Sequence, residues 1–196
     1  MLVPVAAAAF AGARFAATTL ASAIEDLPSE ASFAEAAERL SAALGERVLE
    51  SVGDIEPRRR PFAVGVIYSA PRREVWRVGD LHFAIDGAPS LGSLGIGAAT
   101  ASFRVLYLHL LLLAGDATVS SLIQGDPTRE LMSPMLERIA LLRNSAGSTG
   151  WEFGAFDGRV IPPRFLEVAK VPAEASDVVL TSDGYPEPSP SLEEAE

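Results

Sequence analysis

Carboxylates are the chemistry this sequence has to offer. It holds no cysteine and two histidines, His82 and His109, so thiol nucleophiles, disulfides, zinc–thiolate centres and iron–sulfur clusters are excluded. Two aspartates stand out by their setting. Asp80 follows Gly79 between two β-favouring runs, and Asp183 precedes Gly184 just after the apolar run Val178–Thr181. Carboxylates gathered at the strand ends of a rigid sheet are what a hard cation such as Mg²⁺ or Mn²⁺ requires. The adjacent glycine lets backbone or water come close. Taken singly, each pair is ordinary turn chemistry; together, Asp80 and Asp183 are the candidate metal site.

The other candidates carry less. Gly92-Ser-Leu-Gly-Ile-Gly97 has the glycine content of a phosphate loop but neither the lysine of a P-loop nor dinucleotide-fingerprint spacing. It reads as a flexible loop. Arg58-Arg59-Arg60 before Pro61 makes a local positive patch, read as a solvated loop. His109 sits in an apolar run and reads as a core residue, whereas His82, two residues after Asp80, is better placed to touch a site. Trp76 and Trp151 read as core or sheet-surface aromatics. An amino-terminal-nucleophile hydrolase needs Thr, Ser or Cys leading into a strand, but Thr18 and Thr19 fall within a predicted helix.

Elements must position these groups, and 196 residues provide one domain with a real core. The chain is 48% hydrophobic and 21% charged, so it belongs with folded globular proteins. Its net charge of −10 argues against a nucleic-acid partner. The Ala-rich start has no basic segment ahead of its apolar run, and Arg14 interrupts it, so it reads as an amphipathic helix to about Ile24. The run Val105–Leu113 is too short to span a membrane, which takes about 20 apolar residues. It is expected to be a buried helix segment, and the chain reads as soluble and cytoplasmic, without a membrane partner.

Ser32 and Glu35 have capping-box spacing ahead of the stripe Phe33, Ala36, Ala37, Leu40, Leu44 and Val48, which ends near Gly53. Three strands follow, at Phe62–Tyr68, Val75–Val78 and Leu81–Ile85, with turns at Pro71–Arg73, Gly79-Asp80 and Asp86-Gly87. A helix is expected over Ala98–Ala114. Another should start at Asp126-Pro127, where aspartate caps and proline suits the first position, and Pro134 should kink or restart it. Four more strand candidates, Trp151–Phe156, Arg159–Ile161, Phe165–Val171 and Val178–Thr181, close the order. Short connections make the strands antiparallel. Two such sheets, each covered by a helix pair, give a four-layer α/β/β/α sandwich in one domain over 1–186, followed by an acidic tail or helix start at 187–196.

At this point a resemblance enters. Phe165–Gly184, FLEVAKVPAEASDVVLTSDG, resembles the closing part of a type-2C metal-dependent Ser/Thr phosphatase, where an apolar strand runs into a metal-binding Ser-Asp-Gly. Glu74–Gly87, EVWRVGDLHFAIDG, is similar to that family's Gly-Asp-Ser hairpin, with Leu81 in place of serine. The resemblance implies the same sandwich, Mg²⁺ or Mn²⁺ as cofactor, and a phosphoprotein partner. Metal-activated water would hydrolyse phosphoserine or phosphothreonine. Residue by residue, Asp183 matches a core metal ligand and Asp80 an additional-site aspartate. The family's Asp-Gly-His-Gly before the first helix and its closing Asp-Asn strand are not found. The chain ends read as truncated, with no strand expected before the first helix and a helix start cut short at Glu196. Two functions are open: weak or absent phosphatase turnover, or a non-catalytic phosphatase-like module that binds a partner.

Overall fold

The computed structural model describes residues 2–6, 11–182 and Pro188. Helix α1 spans Ala11–Glu25 and α2 spans Phe33–Val52. The capping box forms as expected: Ser32 Oγ accepts from the Glu35 amide and the Glu35 carboxylate accepts from the Ser32 amide at 2.8 Å. Gly53 closes α2, its amide donating to Leu49 O. The buried face of α2 carries the whole stripe read from the sequence, and α1 packs Ala16, Leu20 and Ile24 beside it.

The expectation that no strand precedes the first helix is corrected. Strand β1 (Leu2–Ala6) pairs antiparallel with β2 (Gly65–Ser69), Leu2 opposite Ser69. Val3 and Val5 suit a strand, and Pro4 is tolerated because β1 lies at the edge of its sheet. That sheet continues through β3 (Glu74–Val78) to β6 (Glu167–Lys170), in the order β1-β2-β3-β6. The second sheet joins β4 (His82–Ile85), β5 (Ala88–Ser90) and β7 (Val178–Thr181) in the order β5-β4-β7. All pairings are antiparallel. The β4–β5 turn places Asp86 and Gly87 at φ 49° and 74°, the hairpin geometry their types favour.

Alternation along β2 and β3 distributes the core. Ile67, Trp76 and Val78 face the helix pair, where Trp76 stacks on Phe33 with centroids 5.3 Å apart. Val66 and Val75 face the second sheet, meeting Leu81, Phe83 and Val171. Arg77, buried on that inner face, fastens the two sheets. Its guanidinium holds Glu167 of β6 at 2.7 Å and donates to the carbonyls of Leu81 and Ser90 at 3.2 and 2.9 Å. The protein is thus mixed α+β, with helix pair, sheet and sheet in contact.

The remaining segments depart further from the reading. Trp151–Phe156 and Arg159–Ile161 form no strands; Phe153 and Phe156 make single bridges, to Arg143 and Ala63. A side chain replaces the ladder here, for the Asn144 amide donates to Ala155 O at 2.7 Å and accepts from Ala155 N at 3.1 Å. The expected burial of helix α3 (Gly95–Ala114) is corrected: none of its residues is buried, and those most covered, such as Ile96 and Leu108, are half-exposed. It is apolar around its whole circumference, so contact with one neighbour leaves most of it uncovered. By length and composition alone α3 could cross a membrane, though Arg104 stands at its centre. Arg104 pairs at 2.8 Å with Asp126, whose Oδ1 also accepts from the Thr128 amide at 2.9 Å; the expected cap is shifted, since Pro127 and not Asp126 holds the N-cap position of α5 (Thr128–Ile139). Helix α5 runs through Pro134 without a break, after a short unforeseen α4 (Val119–Gln124).

A candidate site in the cleft beside Asp80

Two glycines bring Asp80 to a cleft. Gly79 follows β3 at φ 97°, and a Cβ there would stand 2.3 Å from the Val64 side chain, so the turn into β4 closes only around glycine. Gly92 lies flat on the next stretch of backbone: a Cβ would sit 2.4 Å from both the Asp80 carbonyl carbon and Leu81 O. This contact draws the loop after β5 across Asp80 and delivers Leu94 and the start of α3 to the same place. The Gly92 amide also donates to His82 Nδ1 at 3.0 Å. His82 therefore secures this loop and is not among the residues lining the cleft.

The cleft encloses about 520 Å³, within the range of small-molecule sites. Gly12 and Ala13 of α1, the segment from Arg59 to Val64, the start of α3, Leu136 and Ile139 of α5, and Phe153 form its walls. Most of that surface is aliphatic or aromatic. Its charged members among the described residues are Arg59, Arg60 and Asp80. Arg60 donates to Ile55 O at 3.2 Å and pairs with Asp54 at 3.3 Å, while Arg58 turns away to Glu56 at 2.6 Å. Arg59 is exposed and pairs with no carboxylate among the described residues. The arginine run read as a solvated loop thus contributes two of its three members to the cleft. The usable signal was the aromatic Phe62 immediately behind Pro61, which anchors that segment.

Phe62 rests on a charge centre. Its ring lies 4.3 Å from the Arg143 guanidinium, and Arg143 Nε donates to Asp157 Oδ2 at 2.7 Å. Both side chains are buried. Burial draws the Arg143 guanidinium below its ordinary pKa, and the Asp157 charge opposes that. Sequence reasoning treated Asp157-Gly158 as a turn, which it is, but had no means of pairing it with Arg143.

Asp183 lies outside the described residues, as does the tail at 187–196 except Pro188. The strand leading to it ends with Thr181 opposite His82, at the end of the second sheet where Asp80 sits. Of the other singled-out residues, His109 is exposed rather than in the core, Trp151, read as core or sheet-surface, is exposed outside any strand, and Trp76 is buried in β3. Among the described residues one carboxylate reaches the cleft, beside two guanidinium groups, and no three His, Asp or Glu side chains are grouped as ligands. Mg²⁺ seeks about six oxygens in near-octahedral geometry, so this described set does not fit it. Comparison of the chain with protein-family models, with curated proteins and with solved structures gives no match.

Proposed function

We propose that this chain is a phosphatase-2C-like domain that works by binding a partner and hydrolyses phosphoesters slowly or not at all. Architecture and order support the phosphatase-like half. A helix pair packs on one of two facing antiparallel sheets, and the Asp80 hairpin precedes the strand that leads into Ser182-Asp183-Gly184. A fourth, helical layer over the second sheet belongs to this reading, as does a cytoplasmic setting.

The observation that carries the binding half is the segment joining β1 to α1. The family resemblance calls for Asp-Gly-His-Gly ahead of the first helix, whereas the residues between β1 and α1 are Ala7-Ala8-Ala9-Phe10. Methyl and phenyl groups cannot ligate a hard cation. The partner that the resemblance implies is a phosphoprotein.

Turnover of p-nitrophenyl phosphate and of a phosphothreonine peptide, with Mg²⁺ or Mn²⁺ added, tests this, together with calorimetric titration of Mn²⁺ and of the peptide. The expected result is background turnover, peptide binding, and weak Mn²⁺ binding that Asp183→Ala removes. Substantial turnover lost in both Asp80→Asn and Asp183→Ala would restore the enzyme and overturn the binding reading. Absence of both Mn²⁺ and phosphopeptide binding would remove the phosphatase-like reading itself.

A further inference from the structure

We infer that the cleft beside Asp80 takes a small amphipathic monoanion, a carboxylic acid with an aliphatic or aromatic body, its carboxylate on Arg59 and its body against Phe62, Ile96 and Ile139. The inference goes beyond the phosphatase-like reading and does not depend on it, because it needs neither a metal nor a phosphoester.

Three features carry it. The walls are apolar, so a ligand gains by burying hydrocarbon there rather than by hydrogen bonding along its length. The lining also carries charge. Among the described residues that line the cleft, two carry guanidinium groups and one a carboxylate. Arg60 is already engaged with Asp54 and the Ile55 carbonyl, whereas Arg59 pairs with no carboxylate among the described residues and is the guanidinium open to a ligand. An available cation is notable here, for the chain as a whole carries a net charge of −10. An unpaired guanidinium beside an apolar recess selects an anion with a hydrophobic body. A single negative charge matches the one guanidinium without a carboxylate partner among the described residues, and a dianion would exceed it.

Calorimetric titration of the full chain with decanoate, decyl phosphate and decylamine tests the inference. Decanoate is expected to bind with one-to-one stoichiometry, more tightly than decyl phosphate, and decylamine to show no matching site. Arg59→Glu, at an exposed position that leaves the core untouched, should weaken decanoate at least tenfold. Leu113→Glu, on exposed α3 away from the cleft, should leave it unchanged and so separates cleft binding from adsorption to that helix. The proposal is overturned if decanoate shows no saturable binding, if decylamine binds equally well, or if Leu113→Glu rather than Arg59→Glu removes binding. Tighter binding of decyl phosphate than decanoate would overturn the monoanion assignment in favour of a phosphate ligand.

Discussion

Removing the Asp157 carboxylate should cost more than any surface change in this protein. Arg143 and Asp157 are 1% and 0% exposed, so neither charge has water to fall back on. Asp157 Oδ2 accepts from Arg143 Nε at 2.7 Å and from Arg159 Nε and Nη2 at 3.0 and 2.7 Å. Its Oδ1 accepts from Asn144 Nδ2 at 3.0 Å and the Arg159 amide at 3.1 Å. Asp157→Ala removes all five bonds and leaves a buried guanidinium whose other anchors are the Pro57 carbonyl at 2.6 Å and the Phe62 ring. Breaking a buried pair from one side costs about 3–5 kcal/mol, against a total of about 5–15 kcal/mol for an ordinary domain. With a urea dependence of about 2 kcal/mol per molar, the unfolding midpoint should fall by about 2 M. The assay is equilibrium urea unfolding followed by Trp76 fluorescence and by far-ultraviolet circular dichroism. Arg143→Met combined with Asp157→Leu should recover much of the loss, since the pair's value lies in mutual compensation rather than net attraction. Arg159→Ala, at a side chain 31% exposed, should cost only about 1 kcal/mol. The reasoning is refuted if Asp157→Ala costs less than about 1 kcal/mol, or if the double variant is as unstable as the two single losses combined.

Acid should find Glu74 next. Burial pushes its carboxyl up, but hydrogen bonds from Lys170, Trp76 and Arg72 outweigh that and hold its pKa at about 2, below the ordinary 4.5. A folded-state pKa below the unfolded one stabilises at high pH, so a contribution of about 3 kcal/mol should be complete above about pH 5 and lost as the pH falls towards 2. Stability–pH curves of wild type and Glu74→Gln should therefore converge at low pH; parallel curves would refute this. Ser41 and Ser69 are buried with hydroxyls that have no partner among the described residues. Ser69→Ala should be neutral or stabilising by up to about 1 kcal/mol, and Ser41→Ala a little more for its helical position. A loss beyond about 1 kcal/mol in either variant would mean the hydroxyl has a partner after all.

Local signals were legible wherever one stretch of sequence decides its own structure. The capping box of α2, its apolar stripe, the Gly53 stop and the Asp86-Gly87 hairpin all depend on neighbours within a few residues. Non-local decisions were not. Strand β1 looked helical because alanine dominates its neighbourhood, and only the β2 ladder 60-odd residues later makes it a strand. Residues 151–161 have strand-like composition, but Asn144 and Asp157 supply the hydrogen bonds a neighbouring strand would have given. Helix α3 was read as buried because it is apolar, and composition does not say whether anything covers it.

The candidate site shows the same division in a sharper form. Asp80 was visible as a residue type beside glycine, but its surroundings are assembled by contacts that have no local signature. Gly92 must lie on the Asp80–Leu81 backbone, Arg77 must reach from β3 to the carbonyls of Leu81 and Ser90, and Phe62 must find Arg143. Each contact joins segments that are unremarkable alone, and together they turn an aspartate in a turn into one wall of a cleft. The same contacts explain why arginines read as solvated loop matter more than the carboxylates that first drew notice. A carboxylate at a strand end becomes a metal ligand only if others converge on it, whereas one unpaired guanidinium beside an apolar recess already discriminates between anions and cations. The chemistry we propose is therefore recognition, set by Arg59 and the apolar walls rather than by the acidic residues that outnumber the basic ones.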